Sequence, residues 1–310
     1  MKTQTFTILF ASLLLLASCS NQIEYETIEK NEDFRASITQ GSFVELNSGH
    51  TYYNYIPGNG TPLVLVPSFS VPCYQWDHTI EMALEKGIPV LSLDLYGRGN
   101  SSNPDTTYSV ELFADQVIQL LDHLEIKEKI NIAGISMGGR VVSQIAANHP
   151  NRINKLILVS PGGFLNTSTI INSEGNNIVS DEEIKEFIAT DFPTRAEGQL
   201  EDFYKKDELD WWIDLYRPLL FHKHFARALI STRKKERSIM RENVMVGLYD
   251  FPVEFIWGAK DVVFPVEECC KNALNWIPRS EFHILDSCGH MPHIEKTEEF
   301  DRILFDNILK

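Results

Sequence analysis

Gly134-Ile135-Ser136-Met137-Gly138 is a G-x-S-x-G pentapeptide set between two stretches of different period. Ile130 to Ala133 is a short, mostly apolar run, broken only by Asn131, of the length of a buried strand, and Val141, Val142, Ile145 and Ala146 then recur at helical spacing. A strand that turns into a helix at a single residue forces that residue into a strained backbone and crowds it with the residues two positions away. Gly134 and Gly138 are the small neighbours this demands, and Gly139 lets the helix approach the sheet. The Ser136 hydroxyl then projects beside a helix N-terminus, whose free amides favour negative charge. In an arbitrary loop the same five letters carry little weight. Between a buried strand and an amphipathic helix they mark Ser136 as a candidate nucleophile.

The chain around this elbow alternates strand and helix. Phe43 to Leu46 and Thr51 to Ile56 read as a hairpin turning at Asn47, Ser48 and Gly49. Pro62 to Val66, Val90 to Leu95 and Leu156 to Ser160 read as strands, and Trp76 to Lys86 and Val110 to Leu124 as helices. Such alternation implies a parallel sheet with right-handed crossovers. From about Gly163 to Asp250 it stops. Helices are expected there at Asp181 to Thr190, Gln199 to about Tyr216 and Phe221 to about Glu242, in a segment rich in aromatics. Within it, Arg233 to Arg237 is a basic run best read as a solvated helix face. The α/β pattern resumes with a strand at Val253 to Trp257, a helix at Val266 to Trp276, a strand at Phe282 to Leu285 and a closing helix from Thr297. The expected organisation is an α/β core over 36–162 and 251–310 with a helical cap inserted at 163–250.

The first residues stand apart. Lys2 precedes an apolar core from Ile8 to Ala17, too short for a comfortable membrane span, and the core ends in Leu16-Ala17-Ser18-Cys19. This resembles the lipobox of a bacterial lipoprotein, which implies a signal peptide over 1–18, lipidation of Cys19, and export to the cell envelope on a lipid anchor. The polar stretch 19–35 would then be a tether. The net charge of −15 argues against nucleic acid as a partner, because phosphate binding needs clustered Lys and Arg. Cys73, Cys269, Cys270 and Cys288 show neither a disulfide framework nor zinc-ligand spacing, so no metal is expected, and no cofactor.

Two further motifs follow late strands. Trp257-Gly258-Ala-Lys-Asp261-Val-Val-Phe-Pro265 places an acid just after one, and Gly289-His290-Met-Pro292 places a histidine in the loop after the next. With Asp94-Leu-Tyr-Gly-Arg-Gly99 and the elbow, in the order Ser136, Asp261, His290, the chain resembles the α/β-hydrolase fold family from about residue 43 to its end. The resemblance implies a mostly parallel sheet flanked by helices. It also implies a triad in which His290 takes the Ser136 proton while Asp261 holds the imidazole. One oxyanion donor would be the amide of Met137. The other would come from the loop after Val66, where many relatives carry His-Gly-x and this chain has Pro67-Ser68-Phe69; by alignment it is the amide of Phe69. Asp94 and Arg98 would brace that loop or serve ordinary turn chemistry.

Among such enzymes, Phe69 to Asp77 together with Asp94 to Gly99 looks most like the lysophospholipase or monoacylglycerol-lipase group. This implies hydrolysis of a carboxylic ester through an acyl-enzyme, with an apolar acyl chain under the cap. A polar cavity with arginine from the cap would instead favour C–C bond hydrolysis of the meta-cleavage type. The altered oxyanion loop leaves room for a third class, a non-catalytic surface binding module. Oligomeric state is not encoded in any of these features.

Overall fold

A computed structural model describes residues 23–165, 178–207, 209–235 and 241–310. The expected signal peptide and Cys19, and the parts of the cap at 166–177 and 236–240, lie outside the described residues.

Eight strands form one sheet: β1 (Ser42–Leu46), β2 (Gly49–Ile56), β3 (Leu63–Val66), β4 (Val90–Leu93), β5 (Ile130–Ile135), β6 (Ile153–Val159), β7 (Val253–Gly258) and β8 (Glu281–Leu285), in the order β1-β2-β4-β3-β5-β6-β7-β8. β1 and β2 are an antiparallel hairpin, β2 joins β4 antiparallel, and every later pairing is parallel. β3 and β5, buried along their whole length, are the apolar runs the sequence displays.

The side-chain alternation of a strand sends its residues to two cores. Val64 and Val66, Leu91, Ile132, Leu158 and Phe255 face one side. There they meet α3 (Val110–His123), α4 (Met137–Asn148) and α10 (Val266–Trp276), through residues such as Val117, Leu121, Val141, Ile145 and Ala273. Each fully buried Val, Leu or Ile of this kind contributes about 1.5–3 kcal/mol. Leu63, Leu65, Ala133, Ile157 and Ile256 face the other side, covered by α2 (Asp77–Glu85), α11 (Pro292–Glu295), α12 (Thr297–Asp301) and the π-helical stretch Arg302–Ile308.

The described part of the segment between β6 and β7 carries helices: α5 (Asp181–Thr190), α6 (Phe192–Gly198), α7 (Asp210–Tyr216), α8 (Phe225–Lys235) and α9 (Arg241–Val246). α5 starts where the sequence places it because Ser180 and Glu183 form a reciprocal capping box. The helix expected from Gln199 to Tyr216 is broken: a 3-10 turn at Gln199–Asp202 gives way to irregular chain before α7. The helix expected from Phe221 begins at Phe225, after a further 3-10 turn at Arg217–Phe221. Phe192, Phe203, Trp212, Tyr216 and Phe225 are buried in the second core, so these aromatics are structural filling.

The expected tether is corrected from Ile23 onward. Tyr25 packs on Phe192 and Phe221 with ring centroids 5.3 and 5.8 Å apart, Ile28 forms a parallel bridge with His222, and α1 (Glu32–Ser37) follows. Polar composition suggests a free linker, yet Tyr25 packs against the second core, Ile28 is held through its backbone, and Phe34 lies edge-on to the His222 ring 5.5 Å away.

Candidate active site

Ser136 follows β5 and precedes α4 with φ +53° and ψ −119°, a conformation costly for a side-chain-bearing residue and one that clusters at functional sites. Its amide donates to Val159 O at 3.0 Å, and its carbonyl accepts from Gly139 and Gly162 at 3.0 Å each. The flanking glycines are sterically required. A Cβ on Gly138 would lie 2.5 Å from Pro67 O and 2.6 Å from Val66 O, and one on Gly134 would strike the Gly138 carbonyl. One on Gly139 would lie 2.5 Å from Pro161 Cβ. The elbow therefore packs directly against the loop expected to carry the second oxyanion donor.

The loops after β7 and β8 bring Asp261 and His290 together. His290 Nδ1 and Asp261 Oδ2 are 2.8 Å apart, and both side chains are buried. Asp261 is locked from the other side: Trp257 Nε1 donates to Oδ2 at 2.9 Å, and the amides of Val263 and Phe264 donate to Oδ1 at 2.8 and 2.9 Å. This explains the spacing of Trp257 and Asp261, since the indole that ends β7 reaches the carboxylate across the turn. Burial disfavours a charged His290, but the Asp261 charge and hydrogen bond, aided by Asp202 and Glu295, outweigh it and hold the imidazole above its ordinary pKa.

Ser136 and His290 line one cavity of about 370 Å³ together with Phe69. Met137 opens α4, so its amide has no acceptor within the helix. Among the described residues neither that amide nor the amide of Phe69 donates a hydrogen bond within the chain. The loop that carries Phe69 is braced as Asp94 and Arg98 suggested. Arg98 Nε donates to Phe69 O at 2.8 Å, and Asp94 Oδ1 accepts from Cys73 N at 2.8 Å. Gln75 Nε2 adds bonds to Val71 O at 2.9 Å and Pro72 O at 3.1 Å. Arg98 is fully buried, and burial draws its pKa down only to about 10, so it is charged at neutral pH.

Among the described residues the cavity is not the apolar acyl pocket that was expected. Besides Phe69, Val71 and Met291, the cavity is lined by Ser68, Ser70, Thr194 and Gln199 and by the ionisable side chains Asp191, Arg195, Asp202 and Arg233. Much of the cap's apolar bulk is taken up in the second core, and the described cap residues that line the cavity are polar or glycine. Arg195 is tied to Asp191 at 2.7 Å and to the Tyr216 hydroxyl at 2.9 Å. Burial pushes the Asp202 carboxyl above its usual range. Arg233 lies over the rings of Phe69 and Phe187, 5.5 and 5.6 Å from their centroids. Periodicity alone could not find these residues, because they come from separate cap turns. Arg233 belongs to the basic run read as a solvated face, and it is exposed, but at the cavity.

Glu295 is a further residue without a sequence signal. Its carboxylate accepts from Gly289 N and Tyr204 N, at 2.9 Å each, and from Met291 N at 3.4 Å, and His290 N donates to Asp202 O at 2.8 Å. The broken cap helix is thus the clasp over the histidine loop. Tyr74 is half-buried against Trp212, and Trp76 is core. Cys269 and Cys270 are fillers on α10. Among the described residues Glu254, Glu281 and His283 converge within 4.8 Å of one another, with His283 Nε2 3.1 Å from Glu254 Oε2. They lie on β7 and β8, several residues before the loops that carry Asp261 and His290.

The family model for the alpha/beta hydrolase fold matches residues 61–247. The chain belongs to the α/β hydrolase fold family, and it is a hydrolase. It is 28% identical to the dihydrolipoyllysine-residue acetyltransferase component of the acetoin cleaving system of Pseudomonas putida, over 78% of this chain and 62% of that protein, less than two thirds of its length. It is 25% identical to Lipase 3 of Moraxella sp. (strain TA144), over 77% of this chain and 75% of the lipase. It is 26% identical to the 2-hydroxymuconate semialdehyde hydrolase of Pseudomonas sp. (strain CF600), over 80% and 87% of the two chains. An esterase structure from Exiguobacterium antarcticum superposes with a TM-score of 0.72 at 20% identity, covering 87% of this chain and 100% of that one, a likeness of fold.

Proposed function

We propose that the chain is a serine hydrolase that cleaves carboxylic esters through an acyl-enzyme, with Ser136 as nucleophile, His290 as base and Asp261 as its orienting acid. The observation that carries this is the buried 2.8 Å contact between Asp261 and His290 Nδ1, opening on the cavity that also holds the strained Ser136. Nδ1 is engaged by the carboxylate, so Nε2 is the nitrogen available to take the serine proton. The alkoxide oxygen attacks the ester carbonyl, and the carbonyl oxygen gathers negative charge between the amides of Met137 and Phe69. The proton on Nε2 passes to the leaving alcohol as the C–O bond breaks. Water, deprotonated by the same nitrogen, then releases the acid and restores Ser136.

The polar described lining supports a short, polar acyl group rather than a long apolar one. Against p-nitrophenyl acetate, butyrate and octanoate the expected order of kcat/KM falls with chain length, and Ser136→Ala abolishes all three. A folded protein inactive on the whole series removes the ester reading. Arginines 195 and 233, brought into the cavity by the cap, favour a second reading, hydrolysis of a C–C bond in a vinylogous diketone. Loss of the visible absorbance of a meta-cleavage dienoate measures it directly. A binding module without catalysis would leave Ser136 unlabelled by a fluorophosphonate.

Cys19 is proposed as the lipidated residue of an envelope protein. Four residues at about 3.5 Å each then place Ile23 within roughly 14 Å of the anchor, so the cap to which the strap is bound stays close to the bilayer. Incorporation of labelled palmitate that is lost in Cys19→Ala tests the anchor.

A further inference from the structure

The N-terminal strap does more than cover apolar surface. Ile28 N donates to Phe221 O at 2.7 Å, and Ile28 O accepts from Lys223 N at 2.8 Å. The Glu26 carboxylate takes the amides of His224 and Ala226 at 3.0 and 2.6 Å, at the start of α8. Two residues beyond Ile28, Lys30 turns away from the cap. Its ammonium donates to Ser101 O at 2.7 Å and Asn103 Oδ1 at 2.8 Å and lies 3.5 Å from Arg98 O, all on the turn after β4. That turn carries Arg98, whose guanidinium holds Phe69 O at 2.8 Å and, through Nη2, Thr232 Oγ1 of α8 at 2.8 Å.

A closed circuit results: strap to cap, cap to Arg98, Arg98 to the oxyanion loop, and the turn beneath Arg98 back to the strap. The Phe69 carbonyl and the Phe69 amide, the proposed second oxyanion donor, flank one Cα. Drift of Arg98 therefore swings the donor away from the position where an oxyanion would form, and a shift near 1 Å costs about a hundredfold in rate.

We propose that Lys30 is a positioning residue for the oxyanion amide of Phe69, acting through the Ser101–Asn103 turn and Arg98. The proposal rests on the serine hydrolase reading above. Lys30 touches no substrate, so its removal spares substrate binding and slows the step in which the oxyanion forms.

The test is pre-steady-state hydrolysis of p-nitrophenyl acetate by the full folded chain. Lys30→Met and Asn103→Ala, which removes one acceptor of the same ammonium, are each expected to lower the acylation rate and kcat about tenfold with KM within twofold. The double variant should lose no more than the worse single one, and Lys30→Arg should recover part of the loss. Glu29→Gln, which removes only an exposed pair with Lys223, should match wild type. Acylation within twofold of wild type in Lys30→Met, a rise in KM with kcat intact, or additive losses in the double variant would each overturn the proposal. If Lys30→Met fails to fold, Asn103→Ala decides by the same criteria. Those outcomes leave the wild-type enzyme active. A wild type that neither turns over ester nor takes up a fluorophosphonate defeats the hydrolase reading itself, and this proposal with it.

Discussion

Gly138→Ala puts a single methyl group where the elbow meets the oxyanion loop. Its carbon would sit 2.5 Å from Pro67 O and 2.6 Å from Val66 O, whereas ordinary contact begins at 3.4 Å. One side must therefore retreat by roughly 1 Å, and both sides are backbone, so no rotamer change can absorb the strain. The elbow is pinned by the bonds of Ser136 to Val159, Gly139 and Gly162, while the loop ends in Phe69, held by Arg98. The loop is the side expected to yield, carrying the Phe69 amide with it. Overpacking of this kind costs about 1–3 kcal/mol of stability, and misplacing one oxyanion donor costs on the order of a hundredfold in kcat. The assay is kcat and KM on p-nitrophenyl acetate beside a urea melt. Expected is a folded protein with KM near wild type and kcat down by about two orders of magnitude. A variant with unchanged kcat would refute the placement of the donor in this loop, whatever its stability.

Asp261→Asn should lower kcat by about 10⁴ with little change in fold, since the buried imidazole loses the charge that stabilises its protonated form; circular dichroism with a rate measurement checks both. Because His290 is held above its ordinary 6.5 and works only when neutral, kcat/KM should fall as pH drops through a value above 6.5. A pH–rate profile flat down to pH 5.5 would contradict this. Burial draws His222 and His293 down to about 3, so the unfolded chain takes up their protons first. Their contribution is intact above pH 6.5 and is lost as pH falls toward 3, which urea midpoints at pH 7, 5 and 4 will register. Trp212→Ala should cost about 3–5 kcal/mol, because the indole is cap core.

What could be read from the chain beforehand was what is local. Buried strands announce themselves as apolar runs, and the elbow glycines carry their reason within five residues. Asp261 and His290 each follow a strand whose C-terminal end is where a parallel sheet builds its site. The cap defeats the same method. Gln199 to Tyr216 has helical composition, but the chain there breaks to give His290 N an acceptor in Asp202 O and to offer Tyr204 N to Glu295. The resemblance implied an apolar acyl chain under the cap, yet Phe192, Phe203, Trp212, Tyr216 and Phe225 pack into the core and Arg195, Asp202 and Arg233 line the space. Lys30 had no signal at all, because its acceptors lie some seventy positions away in the chain. Long-range polar contacts have no period.

The central claim is that Ser136 is the nucleophile of a complete hydrolase site. The most direct measurement is intact-mass labelling of the folded chain with a fluorophosphonate, read together with ester turnover. One adduct, mapped to Ser136, that eliminates turnover and is absent in both Ser136→Ala and His290→Ala is the predicted result. Turnover that survives in Ser136→Ala, or an adduct on any other residue, would contradict it.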